Sequence, residues 1–457
     1  MDRSNLKFII PTLAVQLARK YTKFRSILVP LARGDPGIFD ESLCNQMDKL
    51  IVQPLVVSDI PTVIVIDALD ECKDDEPASA FLSVLGQFVS KLPRVKFFVT
   101  GRPEPRIHQG FCLPQMEGMA DVFVLHRVEP SQVDRDIQLL FRHSFSELSH
   151  RHRLGNWPSE DQLDLLCQRA AGLFVYAVAT VKFIDHQKRS PEEQLDRLLK
   201  SSRNSDHEGK VKLTENTTLD SLYMSILQEA FGDDDPENDY KIRSVLSAVI
   251  LAINPLSPST IANLLDFKIS DVLCWLLSVQ SLLILEKEDV KHPVLPFHKS
   301  FRDFIINPSR CTNQRFCISP PDHHLDLLIG CLGSMNKGLE KNICKLPDAV
   351  MNEEVDDLQE RVGQYIDNCL QYACRSWHKH LAYINVAPDQ ILRITPALQQ
   401  FLEIKFLFWL EVLSVLDATS EAVGALKVAA ELLKVCDFID WMHFLHLLIL
   451  ILGIINS

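Results

Sequence analysis

Residues 62–71, Thr-Val-Ile-Val-Ile-Asp-Ala-Leu-Asp-Glu, constrain this chain more than any other stretch. Five consecutive β-branched side chains restrict χ1 and favour a pleated backbone. A continuous apolar run of this kind predicts a strand covered on both faces. The run ends in carboxylates, which places Asp67, Asp70 and Glu71 at the C-terminal edge of a sheet, where α/β ligand sites form. Asp67 could there hold a hydrated magnesium ion, which keeps waters and takes only one or two carboxylates. Asp70 or Glu71 could orient or deprotonate a water attacking a terminal phosphate. The same residues also read as a solvated loop opening a helix, because Lys73, Asp74, Asp75 and Glu76 continue the charge.

A helical pattern follows from Ala78 to Lys91, then a second strand through 95–99 that stops at Thr100-Gly101-Arg102-Pro103. Val122-Phe123-Val124-Leu125 reads as a third short strand. Strand, helix, strand at this spacing predicts a parallel sheet with crossover helices. Arg102, at the end of the neighbouring strand, could face a γ-phosphate; it could equally pair with the acidic cluster. Upstream, Leu6, Ile9, Ile10, Leu13 and Leu17 fall on one helical face.

After Pro130 helical patterns take over, at 131–149, 160–187 and 191–200, until a polar stretch from Ser201 to Asn216. Helices are expected near 219–231 and 239–253, at Pro258 and from Ser270. A small hairpin joins Leu282–Leu285 to Pro293–Pro296, and a helix from His298 to Ile306 closes the segment. Short helices followed by a two-stranded wing describe a winged-helix module. Residues 322–457 read as helical throughout.

Composition narrows the function. The chain has 457 residues, and at roughly 100–200 residues per domain this predicts two to four domains. Sixteen glycines disfavour turn-dense all-β folds, and 47% apolar residues exclude disorder. The net charge of −13 argues against a broad nucleic-acid surface. Twelve cysteines with no Cys-x-x-Cys suit a reduced, cytoplasmic chain. His323-His324, His378-x-His380 and the cysteine pairs lack the spacing of a tetrahedral site, so no metal is expected from them. The N-terminus does not read as a secretory signal. The apolar stretch Trp441 to Ile455 is shorter than the ~20 residues a span needs, which favours a packed or interfacial helix over an anchor.

The pairing of Val-Ile-Val-Ile-Asp-Ala-Leu-Asp-Glu-Cys with Phe-Phe-Val-Thr-Gly-Arg-Pro-Glu-Pro-Arg-Ile resembles the NACHT domains of fungal STAND proteins, signal-transducing P-loop NTPases whose N-terminal domain is of the nephrocystin-3 type. Ala171-Gly172-Leu173-Phe174-Val175-Tyr176-Ala177 resembles the family's lid segment, and Phe297-His298-Lys299-Ser300-Phe301-Arg302-Asp303-Phe304 the end of its winged helix. The ordered motifs span about residues 5–310. The resemblance implies an α/β fold followed by all-α: an incomplete parallel-sheet core at 1–130, a helical lid at 131–215, a winged helix at 216–320, a helical arm at 321–440 and an apolar tail at 441–457. It also implies roles for single residues. Asp67 matches the Walker B magnesium aspartate, Asp70 and Glu71 the acidic pair that acts on water, Arg102 the sensor arginine, and His298 a histidine near the nucleotide phosphates.

The departure is the phosphate loop. Gly-x-x-x-x-Gly-Lys-Ser/Thr, whose backbone N–H groups and lysine hold the phosphates, does not occur; the lone Gly-Lys, Gly209-Lys210, has Asn204 and Val211 in the wrong places. In the family that loop would precede Met1, so the chain is expected to start inside the nucleotide fold. Three readings follow. The first is a signalling or regulatory module acting through protein partners, with possible homo-oligomerisation, no resident cofactor and a lost nucleotide switch. The second is a magnesium-dependent NTPase completed by a partner, binding the Mg-ATP or Mg-GTP of intact relatives. The third is a membrane-associated helical scaffold. The missing loop favours the first over the second, and the short tail favours it over the third.

Overall fold

The computed structural model describes residues 8–435 apart from 73–74, 103–104, 112, 117, 126–127, 186–188, 202–214, 233–235, 287–288, 348–350 and 385–387. The apolar tail expected at 441–457 lies outside the described residues. The chain divides into two units, Met1–Val128 and Glu129–Ser457, each with its own hydrophobic core.

The first unit opens with helices α1 (Ile9–Lys20) and α2 (Thr22–Gly34). Ile10, Leu13, Ala14 and Leu17 recur at helical spacing and are the buried face of α1. A helical stretch follows, Leu43–Gln46, then a π-turn at Met47–Val52, then α3 (Gln53–Ser58). Pro54 has no N–H to offer the Leu50 carbonyl, and the widened turn sits at that interruption. Strand β1 (Thr62–Ile66), helix α4 (Asp75–Phe88), strand β2 (Val95–Val99) and helix α5 (Pro105–Phe111) complete the unit. β1 and β2 pair in parallel, Thr62 opposite Val95 through Ile66 opposite Val99.

The sheet carries its core on one face only. Ile64, Ile66 and Val95 are buried against α1, α3 and α4 side chains such as Leu55, Phe81 and Leu85. On the other face Val63 and Val65 are each 61% exposed and Phe98 60%. This corrects the expectation of a strand covered on both faces: the apolar run permits two-sided burial, but cover is supplied on one side. The expected strand at 122–125 is also absent. Residues 122–124 have no regular structure, Leu125 lies in a 3₁₀ turn, and Val122, Phe123 and Leu125 are 62%, 77% and 75% exposed. Apolar side chains do not make a strand without a neighbouring ladder to satisfy its backbone.

The second unit is helical apart from one short hairpin. Its first helices are α6 (Pro130–His152), α7 (Glu160–Ala170), α8 (Phe174–Ile184), α9 (Pro191–Ser201), α10 (Glu215–Phe231), α11 (Pro236–Leu251), α12 (Pro258–Leu265) and α13 (Ile269–Ser278). The continuous pattern at 160–187 is broken into α7 and α8 by Ala171 and Gly172, both at positive φ, a conformation glycine adopts freely. β3 (Leu283–Ile284) and β4 (Leu295–Pro296) pair antiparallel, and α14 (Lys299–Ile305) follows. α15 (Pro320–Gly338), α16 (Leu358–Tyr365), α17 (Asn368–Leu381), α18 (Pro388–Gln400), α19 (Phe406–Val415) and α20 (Ser420–Val435) complete it. α15 and α17 pack along each other, aided by Gly338 against Leu370. Trp377, Phe401 and Trp409 meet edge to face at 5.2–5.9 Å, and the Trp409 indole N–H donates to the Cys374 carbonyl at 2.9 Å. Among the described residues no helix is long and apolar enough to cross a membrane.

Candidate functional site

The parallel pairing brings the ends of β1 and β2 to one edge, and polar groups lock that edge. Beyond the last strand pair, Thr100 N–H donates to the Ile66 carbonyl at 2.9 Å and Leu69 N–H donates to the Thr100 carbonyl at 2.9 Å. The Thr100 hydroxyl donates to Asp67 Oδ1 and accepts from Ala68 N–H at 2.9 Å. Ala68 has φ +55°, in the left-handed region, so the chain turns sharply there into the 3₁₀ turn Leu69–Glu71. That turn points the Asp70 carboxylate inward, where it is 4% exposed. Its Oδ1 accepts from Arg102 N–H at 3.0 Å, and its Oδ2 lies 3.6 Å from Arg102 Nε.

Asp67, Asp70, Thr100 and Arg102 therefore form one constellation. Asp70 and Arg102 are each other's partners, the ion-pair reading of this arginine. Asp67 is exposed at the edge. The Glu71 backbone closes the turn, but its side chain lies outside the described residues. His298 belongs to the second unit, where it caps α14: its Nδ1 accepts from Ser300 N–H at 3.2 Å and lies 2.6 Å from Ser300 Oγ, which bonds the buried Tyr223 hydroxyl at 2.7 Å. One cluster that the sequence reading passed over lies between β3 and β4, where His292 Nδ1 sits 3.0 Å from Asp289 and 3.3 Å from Glu286. The hydrogen bond that His292 donates to Asp289, then the Glu286 charge, raises the His292 pKa, and the three form an exposed ion-pair cluster.

Residues 1–102 match the family model described as nephrocystin 3, N-terminal. The chain is NACHT-like. Along most of its length this NACHT-like chain is similar to the vegetative incompatibility protein HET-E-1 of Podospora anserina, 22% identical over 403 residues, covering 81% of this chain and 27% of that protein. The chain thus spans about a quarter of the curated relative it matches. No solved structure matches it.

The donor set at the edge fits half of what a metal–nucleotide complex requires. Asp67, with the Thr100 hydroxyl beside it, suits a hydrated divalent cation that needs one or two carboxylates. On the phosphate side, Asp70 is held by Arg102.

Proposed function

We propose that this chain is a NACHT-type regulatory module that works through contacts with protein partners, not through nucleotide turnover of its own. The similarity to the nephrocystin 3 N-terminal family and to HET-E-1 supports the class. The observation that carries the reading is the state of Asp70. A residue expected to act on water is closed off at 4% exposure, with one oxygen on the Arg102 backbone and the other beside its guanidinium. In this role Asp70 and Arg102 hold the two strand ends together, and the sheet edge is a scaffold element. The helices of 131–200 are read as a lid, the segment around β3 and β4 as a winged helix, and 321–435 as an arm, the parts by which such a module would present surfaces to a partner.

Calorimetric titration with magnesium-ATP tests this. The chain alone should give no saturable heat at millimolar nucleotide, because three carboxylates without a phosphate-holding lysine repel a triphosphate. Micromolar affinity, about −8 kcal/mol, lost in Asp67→Ala, would overturn the reading. That outcome would favour the second reading, an NTPase in which the exposed Asp67 holds magnesium at a site a partner completes.

A further inference from the structure

A cleft of about 380 Å³ in the second unit lies between α11, α15 and α18, and two of its lining side chains are acceptors with their donor atoms already committed. The Gln390 amide Nε2 donates to Asp322 Oδ1 at 3.1 Å. A carboxylate accepts only, so this bond fixes the orientation of the amide, and Gln390 Oε1 has no hydrogen-bond partner among the described residues. Gln390 is 9% exposed. His323, also buried, places Nδ1 2.8 Å from the Ser319 carbonyl, which fixes Nδ1–H; burial holds the ring neutral, so its remaining nitrogen is a lone-pair acceptor. Asp322 and Asp326 add carboxylates to the same lining.

Neither arginine of the lining bonds Gln390 Oε1. Arg243 donates through Nη1 to the Gln314 and Arg315 carbonyls, at 3.0 and 3.4 Å. Arg393 reaches Asp326 at 3.1 Å but is 54% exposed, so it can swing out at little cost. A buried acceptor left unmatched is costly, and a charged donor satisfies it best. The cleft adjoins a second, larger one of about 750 Å³ that shares Tyr240, Asp326 and Arg393 with it. The floor there includes Gly333, where an added Cβ would meet nothing within 4 Å. A larger cleft adjoining a smaller one lined by acceptors suits a main chain with one basic side chain turned into the smaller.

We propose that this cleft receives the guanidinium or ammonium side chain of a partner polypeptide, displacing Arg393 from Asp326, with the partner's backbone lying in the larger cleft over Gly333. This rests on the proposed partner-binding role only in its choice of occupant; the acceptor geometry stands without it, and the test below does not involve nucleotide.

The test is calorimetric titration of acetyl-Gly-Gly-Arg-Gly-Gly-amide into the full chain. Binding is expected at a Kd on the order of 100 μM, at least ten-fold weaker for the neutral citrulline counterpart. Gln390→Met, which keeps volume but removes the acceptor, should weaken binding about ten-fold. Gly333→Leu, which fills the larger cleft, should weaken it for the peptide but not for agmatine, a free guanidine without a backbone. Retained circular dichroism and melting temperature qualify each variant, and either variant alone suffices if the other fails to fold. Absence of binding at millimolar peptide overturns the proposal, as does equal affinity for citrulline or an unchanged Kd in both folded variants. Agmatine binding as tightly as the peptide, with Gly333→Leu affecting neither, overturns the polypeptide occupant.

Discussion

His324, His378 and His380 are buried between helices that, among the described residues, carry no carboxylate acting on them except Glu421, which acts on His378. His324 Nδ1 and His380 Nδ1 are 2.8 Å apart, so one ring must donate and the other accept. His380 Nε2 continues to the Tyr372 hydroxyl at 2.7 Å, which accepts from Ile253 N–H at 3.1 Å. Burial lowers all three pKa values, to about 4 for His324 and His378 and about 3 for His380; Arg302 and His323 add to the first, Lys379 to the second, His324 and His378 to the third. A folded-state pKa below the unfolded value of about 6.5 means that the unfolded chain binds the protons. The stability these rings leave intact at pH 7.5 is therefore lost as pH falls from about 6.5 towards 4. Urea unfolding should show the second unit losing about 4 kcal/mol between pH 7.5 and 5.5, some three times the ~1.4 kcal/mol of one pKa unit. His380→Gln should remove about a third of that slope. A flat profile would mean that the rings are solvated in the native state.

The Thr100 hydroxyl makes a comparable test in the first unit. It satisfies Ala68 N–H and holds Asp67 at once. Thr100→Val keeps the shape, leaves Ala68 N–H without its acceptor and gives Asp67 up to water, which should cost about 1–3 kcal/mol; Thr100→Ser should cost well under half of that. Equal losses in the two variants would show that the methyl, not the hydroxyl, matters.

Between elements, glycines decide how closely helices approach. A Cβ on Gly330 of α15 would sit 2.3 Å from the Leu264 carbonyl oxygen at the end of α12, a backbone atom that cannot rotate away. Gly330→Ala should destabilise by about 1–3 kcal/mol. Gly333→Ala, three residues on, should stabilise by about 1 kcal/mol, since helix propensity is the remaining difference. Thermal melts of the pair give opposite signs if the packing is as described.

The elements themselves were partly legible. The β-branched run and its acidic end located β1 and Asp67, and Thr-Gly-Arg located the end of β2, because strand propensity and the sheet edge are written locally. Burial was not. Val63 and Val65 are as apolar as Ile64 and Ile66, and only the placement of helices on one face separates them. Val122–Leu125 failed for the same reason, since pairing is a property of a neighbour. The pairing of Arg102 with Asp70 was one of two readings the residues allowed, and the distance between them is a property of the fold that no local pattern carries. No local signal could have found the cleft, whose Tyr240, His323 and Gln390 come from three helices scattered over 150 residues.

At the scale of the molecule, the two units differ in how they are built, a parallel ladder in the first and helix packing in the second, and this difference sets a timetable. Among the described residues, the one ladder of the first unit joins residues 62–66 to 95–99, so twenty-eight residues, 67 to 94, must be gathered before its first bond forms. Parallel pairing across such a crossover is slow, whereas each helix closes its own backbone hydrogen bonds locally and fast. The sequence supplies a selective reporter: all five tryptophans, at 157, 275, 377, 409 and 441, lie after residue 128. Stopped-flow refolding should therefore show tryptophan fluorescence reaching its final value before the slowest far-ultraviolet dichroism phase ends. Coincident traces would mean that the two cores fold as one. Made first at the ribosome, the N-terminal unit would be the later of the two to reach its native state, and through that interval the apolar row of Val63, Val65 and Phe98 would be open to whatever else is being synthesised nearby.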